Sequence, residues 1–162
     1  MCTGGAWAYS VAGTLESALA IAKCVEDGYD VLALSVQQLL DCTGGPNLGC
    51  VGGRRQYGFH YASQQGMASE STYPFSSSLA PEACMYNDTR RYSMFQPQAF
   101  KAFQRVTTEQ MVKLLCASPV SVALRVTECF KAYESGILDR ECSASSTSTT
   151  NHYAVLVGFG VD

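Results

Sequence analysis

Two stretches of the sequence carry groups with the potential for covalent chemistry, and each stands where a backbone element begins. CTGGAWAYS, running from Cys2 to Ser10, sets Gly4 and Gly5 directly before an apolar run. A nucleophile at the N-terminus of a helix is favoured there, because the helix dipole and the free backbone N–H groups stabilise a thiolate and a developing oxyanion. Small residues just ahead of it let a substrate backbone approach closely. The matching base is an imidazole, and the chain has only two, His60 and His152. His152 follows Asn151 and opens HYAVLVGFG, a run of strand character that would hold the ring rigidly. His60 lies in a helical segment and reads as surface or core filler.

Positioning these groups requires elements that the hydrophobic pattern supplies. From Trp7 to Lys23 the residues Val11, Leu15, Ala18, Leu19 and Ala22 recur at three- and four-residue steps, one face of a helix. SVQQLLDC signals a second helix, with Ser35 as N-cap and Gln38 completing a capping box. GGRRQYGFHYASQQG reads as a third, stopped by Gly66, with Arg54 and Arg55 solvated. Thr107 and Gln110 open a fourth, which ends before Pro119. The pattern then changes: PVSVALRV alternates Val120, Val122 and Leu124 with smaller or polar residues, and HYAVLVGFG is a second strand. ECSASSTSTT between them reads as a surface loop.

Composition excludes several classes. The 162 residues are 47% hydrophobic, enough for an ordinary core. A net charge of -3 without a basic run argues against nucleic acid as a partner. No apolar stretch approaches the ~20 residues of a membrane span, and MCTGGAW lacks the regions of a signal peptide. Eight cysteines suit an oxidising compartment. With no C-x-x-C and two distant histidines, no metal site is expected.

CTGGAWAYS resembles the C-G-x-C-W-A-F-S signature of the papain-like cysteine peptidases, and His152 falls within the roughly 130–150-residue spacing of that family's histidine. LSVQQLLDC, GCVGG, STYPF, PVSVAL and NHYAVLVGFG continue the likeness in the family's order. Within the cathepsin-like members, SVQQLLDC and the MC before the glycines are most similar to the cathepsin O type.

The resemblance implies an α+β, papain-like two-lobed fold: a helical lobe over about 1–106 and the start of a β-rich lobe, incomplete, over about 107–162. It implies His152 as the catalytic base and Gly5, Gly52, Gly53, Ala123 and Tyr153 along a cleft that takes a peptide or protein substrate. No cofactor is implied, and the intact domain is expected to be a monomer, lysosomal or extracellular. The family pairs the positions of Cys2 with Cys50 and of Cys42 with Cys84. Cys142 would pair beyond this chain, while Cys24, Cys116 and Cys129 match no family bridge. Family members have about twenty further residues before Cys2 and continue to an N-S-W motif after GFG, so the resemblance makes this a partial domain with Met1 internal to it.

Aligning Trp7, Ala8 and Ser10 with the W-A-F-S of the signature puts Ala6 at the nucleophile position. A methyl group has no lone pair with which to attack a carbonyl, and loss of the nucleophile from a serine peptidase lowers turnover ~10⁶-fold. Thr3 to Ala6 also make the loop one residue longer than the family's. The expected function is therefore a cysteine-type peptidase homologue that is inactive as written. The alternatives are a non-catalytic pseudopeptidase that binds peptides or a protein partner, and an alanine introduced by engineering or by a gene-model error.

Overall fold

The computed structural model describes residues 2–23, 32–76, 83–85, 95–138 and 149–160. Helix α1, Ala6–Ala22, is the spine of the molecule. Trp7, Ala8, Val11, Ala12, Leu15 and Leu19 form its buried stripe, three- and four-residue spacings that turn one helical face inward. That stripe lies slightly round from the expected one: Ala18 is half-buried and Ala22 exposed.

Helix α2, Val36–Cys42, packs on α1 through Leu39 and Leu40, and the backbone N–H of Leu34, just ahead of it, donates to Glu16 Oε1 at 2.7 Å. After a 3-10 turn at Gly49–Val51, helix α3, Arg55–Gln65, crosses α1. Its small residues make the crossing close, since a Cβ on Gly58 would stand 3.1 Å from Val11 and 3.2 Å from Trp7. Gly66 ends α3 as expected, at φ +76°, a conformation that glycine adopts without steric cost.

Helix α4 spans Thr108–Leu115 and strand β1 spans Val120–Leu124; the short helix α5, Glu128–Lys131, and strand β2, His152–Leu156, follow. β1 and β2 form an antiparallel pair, with Val122 opposite Ala154 and Leu124 opposite His152. The C-terminal part therefore holds as many helices as strands among the described residues, and β2 stops at Leu156, short of the VGFG that extends the apolar run.

The expected alternation on β1 exists, but the small residues face α1. Ser121 Oγ lies 2.6 Å from Ser10 Oγ, and a Cβ on Gly13 would meet Val155 at 3.3 Å. Ser121, Ala123, Tyr153 and Val155 thus form the row turned to the helix, and Val120, Val122 and Leu124 the opposite row.

Two disulfides, Cys2–Cys50 and Cys42–Cys84, hold the first part in the pairing the resemblance implies. Closing the 48-residue separation of the first constrains the unfolded chain by about 4 kcal/mol in the chain-entropy account. Cys129 is also disulfide-bonded, whereas Cys116 is a free, exposed thiol. Cys24, Cys142 and the ECSASSTSTT loop except for Thr149 and Thr150 lie outside the described residues. No helix among those described is long and apolar enough to cross a membrane.

One expected device is only half built. Ser35 Oγ caps α2 by accepting from Gln38 N at 2.9 Å, but the Gln38 side chain does not return to Ser35. It points inward, where its Nε2 donates to Tyr61 Oη and Gly66 O and its Oε1 accepts from Ala68 N. Gln38 is fully buried, and a buried amide must satisfy its donors and acceptor inside the protein.

Candidate active site

Ala6 is the first residue of α1, and Gly5 before it provides no side-chain cap. The first-turn amides therefore keep the partial positive charge of an uncapped helix start. The loop ahead of Ala6 is held by Cys2–Cys50 and by Gly4 N donating to Cys50 O at 2.8 Å.

The absence of side chains at Gly4 and Gly5 serves this anchorage. A Cβ on Gly4 would lie 2.5 Å from Cys50 O, and one on Gly5 2.6 Å from Cys2 Sγ. Gly5 is buried, so its space is taken by the chain's own disulfide, whereas the sequence suggested room for a substrate backbone. Gly53 is likewise packed, since a Cβ there would stand 2.7 Å from the Trp7 indole. Trp7 in turn donates from Nε1 to Gly49 O at 3.1 Å. Gly52 differs from these, for a Cβ on it would meet nothing within 4 Å. Of these four glycines it is the one beside which a side chain would find open space.

His152 opens β2 and is exposed. Its relation to Ala6 along the two elements follows from the contacts between α1 and β2. Ser10 Oγ donates to Ala154 O at 2.9 Å. Four residues back along a helix is about 6 Å, and two residues back along a strand is about 6.6 Å. Gly13 lies toward Val155, three residues on along α1 and one on along β2, so both elements advance in the same sense from their first residues, Ala6 and His152. By the pleat, His152 belongs to the row opposite Tyr153, and no hydrogen bond is made to its ring among the described residues.

Asn151 secures the end of β2. Its Oδ1 accepts from Val126 N at 2.7 Å and its Nδ2 donates to Val126 O at 3.1 Å. Ala123 and Tyr153 are paired across the sheet on the face toward α1. Cys2 and Cys50 tether the loop ahead of α1, while Cys42 and Cys84 are joined at the C-terminal end of α2. His60 is exposed on α3. A pocket of ≈ 310 Å³ lined by Phe103, Val106 and Leu114 lies beside α4 and contains none of these groups.

Arg55 departs from its expected place in solvent. It is only partly exposed, its Cζ stands 5.5 Å from the centre of the Tyr153 ring, and its Nη1 is buried without a hydrogen-bond partner. Burial lowers the guanidinium pKa from its ordinary value, with the neighbouring Tyr153 acting in the opposite sense. The signal was present in the helical phase: Arg55 shares a face with Gly58, Phe59 and Ala62, three, four and seven residues on. Ser10 and Asn47 were also missed. Asn47 is buried and accepts from Arg54 N through Oδ1 at 2.7 Å, holding the segment that leads from Gly52 into α3.

A helix start tethered by a disulfide, a glycine-bordered segment and a strand opening with histidine make up the described site. The sequence matches the family described as papain family cysteine protease over residues 1–162. It is 33% identical over 159 residues to a cysteine proteinase of Theileria parva, covering 98% of this chain and 32% of that protein. It is 32% identical to pro-cathepsin H of Mus musculus, covering 97% of this chain and 45% of that one. Among solved structures, bromelain from Ananas comosus in complex with the E64 inhibitor is similar, with a TM-score of 0.82, 28% identity, and coverage of 99% of this chain and 68% of that chain. A Carica candamarcensis cysteine protease in complex with E-64 shares the fold, with a TM-score of 0.79 at 24% identity. The chain belongs to the papain family of cysteine proteases. It spans about a third to just under half of the length of these two curated relatives.

Proposed function

We propose that this chain forms the peptide-binding cleft of a papain-family cysteine peptidase homologue in which the first chemical step, attack by a thiolate, is lost. The observation that carries this reading is Ala6, the first residue of an uncapped helix in a disulfide-tethered loop, where the chemistry calls for a thiol. His152 is the base of the reading, and Gly52, Ala123 and Tyr153 border the groove in which an extended peptide lies. Gly5 and Gly53 act indirectly, by letting the disulfide and Trp7 close up behind that groove. The helical lobe over about 1–106 and the start of a β-rich lobe over about 107–162 supply its two walls.

A second reading, a pseudopeptidase that acts by binding a peptide or protein partner, is favoured by how much of the surrounding framework is kept. Cys2–Cys50, the Asn151 clamp and the Gly52 border all remain although the nucleophile position holds alanine. The disulfides fit residence in an oxidising compartment, lysosomal or extracellular.

The test is turnover of peptide substrates under reducing conditions, together with E-64 labelling mapped by mass spectrometry. We expect no turnover and no label at the start of α1, and among the described residues free-thiol reactivity at the exposed Cys116. Inhibitor-sensitive hydrolysis that survives repurification would overturn the loss of chemistry. Ala6→Cys alone is expected to fall well short of an intact relative, because the loop before Trp7 is one residue longer than the family's.

A further inference from the structure

An antiparallel pair of strands packed on one face commonly carries polar side chains on the other, because that row meets water. The pair formed by β1 and β2 departs from this pattern. Its small residues on β1, Ser121 and Ala123, share the row turned to α1, whereas Val120, Val122 and Leu124 form the row turned away. Leu156 stands opposite Val120 and Ala154 opposite Val122, so cross-strand neighbours join these side chains into one apolar face. His152 is the polar exception, at the exposed end of the row. Among the described elements α1 is the one that packs closely on the pair, and every apolar side chain of the outer row stays partly exposed.

The amount of surface indicates how large a partner it accommodates. The chain exposes 10808 Å², where a compact monomer of 17.4 kDa exposes roughly 7,900 Å². An interface of standard size takes about 800 Å² from each partner, and the excess is several times that area. The part of the chain that holds the sheet contributes to it throughout, for no described residue from Thr107 onward is buried.

Charge indicates which partner. From Thr107 onward the described residues carry Lys113, Arg125 and Lys131 against Glu109, Glu128 and Glu134, a formal balance of zero. Four of the six are paired within their own helices, Lys113 with Glu109 and Lys131 with Glu128. Such a part carries no net charge to repel an identical copy and no excess of one sign to recruit a partner of the other. Identical apolar faces meet in a closed arrangement about a two-fold axis.

We propose that the outer face of β1 and β2 is a homodimer interface, on which a second copy of this chain lays its own pair of strands face to face, the two sheets about 10 Å apart. Val120, Val122 and Leu124 of each copy then lose their remaining contact with water. Such a dimer forms whether or not the cleft takes a peptide.

The experiment is sedimentation velocity of the full chain over a dilution series, after alkylation of free thiols so that the exposed Cys116 cannot link copies. At micromolar concentration a species of twice the chain mass is expected, dissociating on dilution. Val122→Lys places two like charges on the shared face and should raise the dissociation constant at least about tenfold. Ile21→Lys, at an exposed position of α1, should leave it unchanged. Circular dichroism verifies that both variants are folded. Hydrogen exchange of the unaltered chain needs no variant and decides the matter if Val122→Lys does not fold: the amides of β1 and β2 should gain protection as concentration rises, while those of α2 do not. A monomer at every concentration would overturn the assignment and leave the face to a different protein or a further segment. Association that a folded Val122→Lys leaves intact, oligomers that grow without closing at the dimer, or protection in β1 and β2 that is independent of concentration would overturn it equally.

Discussion

Two helices in this molecule begin with the same local signal and use it differently. At α4, Thr107 accepts from Gln110 N and Gln110 Oε1 accepts from Thr107 N at 2.9 Å, a reciprocal box on an exposed surface. At α2, Ser35 performs its half while Gln38 leaves for three partners in the interior. For an exposed glutamine, a local backbone donor competes only with water. For a buried one, several inward groups would go unsatisfied if it stayed in the box.

The same contrast separates the two parts of the chain. Every buried residue among those described lies between Gly5 and Tyr73, and none lies from Thr107 onward. Val157 is 75% exposed and Ile137 76%. The first part is organised by burial and the second by local hydrogen bonds and by its contact with α1.

The largest expected effect sits at the centre of the buried part. Trp7→Ala removes a fully buried indole, its bond to Gly49 and the surface against which Gly53 packs. A loss of about 3–5 kcal/mol is expected in chemical denaturation. Gln38→Ala should cost about 1–3 kcal/mol by the same measurement, because Ala68 N is left buried without its acceptor.

Ser10→Ala tests the joint between the parts. It removes the bonds to Ser121 and Ala154, with an expected cost of about 1 kcal/mol. Hydrogen exchange should quicken in β1 and β2 while α2 is unaffected; uniform quickening would mean that the two parts unfold as one unit. The smallest effect is expected for Gln110→Ala, about 0.5 kcal/mol or less at an exposed position. A cost equal to that of Gln38→Ala would erase the contrast drawn between the two boxes.

The sequence by itself determined the local structure of this protein. The apolar spacing of α1, the stop at Gly66, the caps at Ser35 and Thr107 and the strand character of PVSVAL and HYAVL all depend on residues a few positions apart. The short motifs, each made of neighbouring residues, carried the family likeness for the same reason.

Tertiary structure alone decided which face and which partner. Whether Ser121 or Val122 turned to α1 depended on what α1 offers, and Ser10 with Gly13 left room for the small row. Gln38 and Arg55 are polar residues whose surroundings come from distant elements, Ala68 for one and Tyr153 for the other. Nothing in neighbouring sequence encodes those distances. β2 lies beside α1 through Ser10 and Ala154, residues at the two ends of the sequence whose contact exists only in the folded molecule.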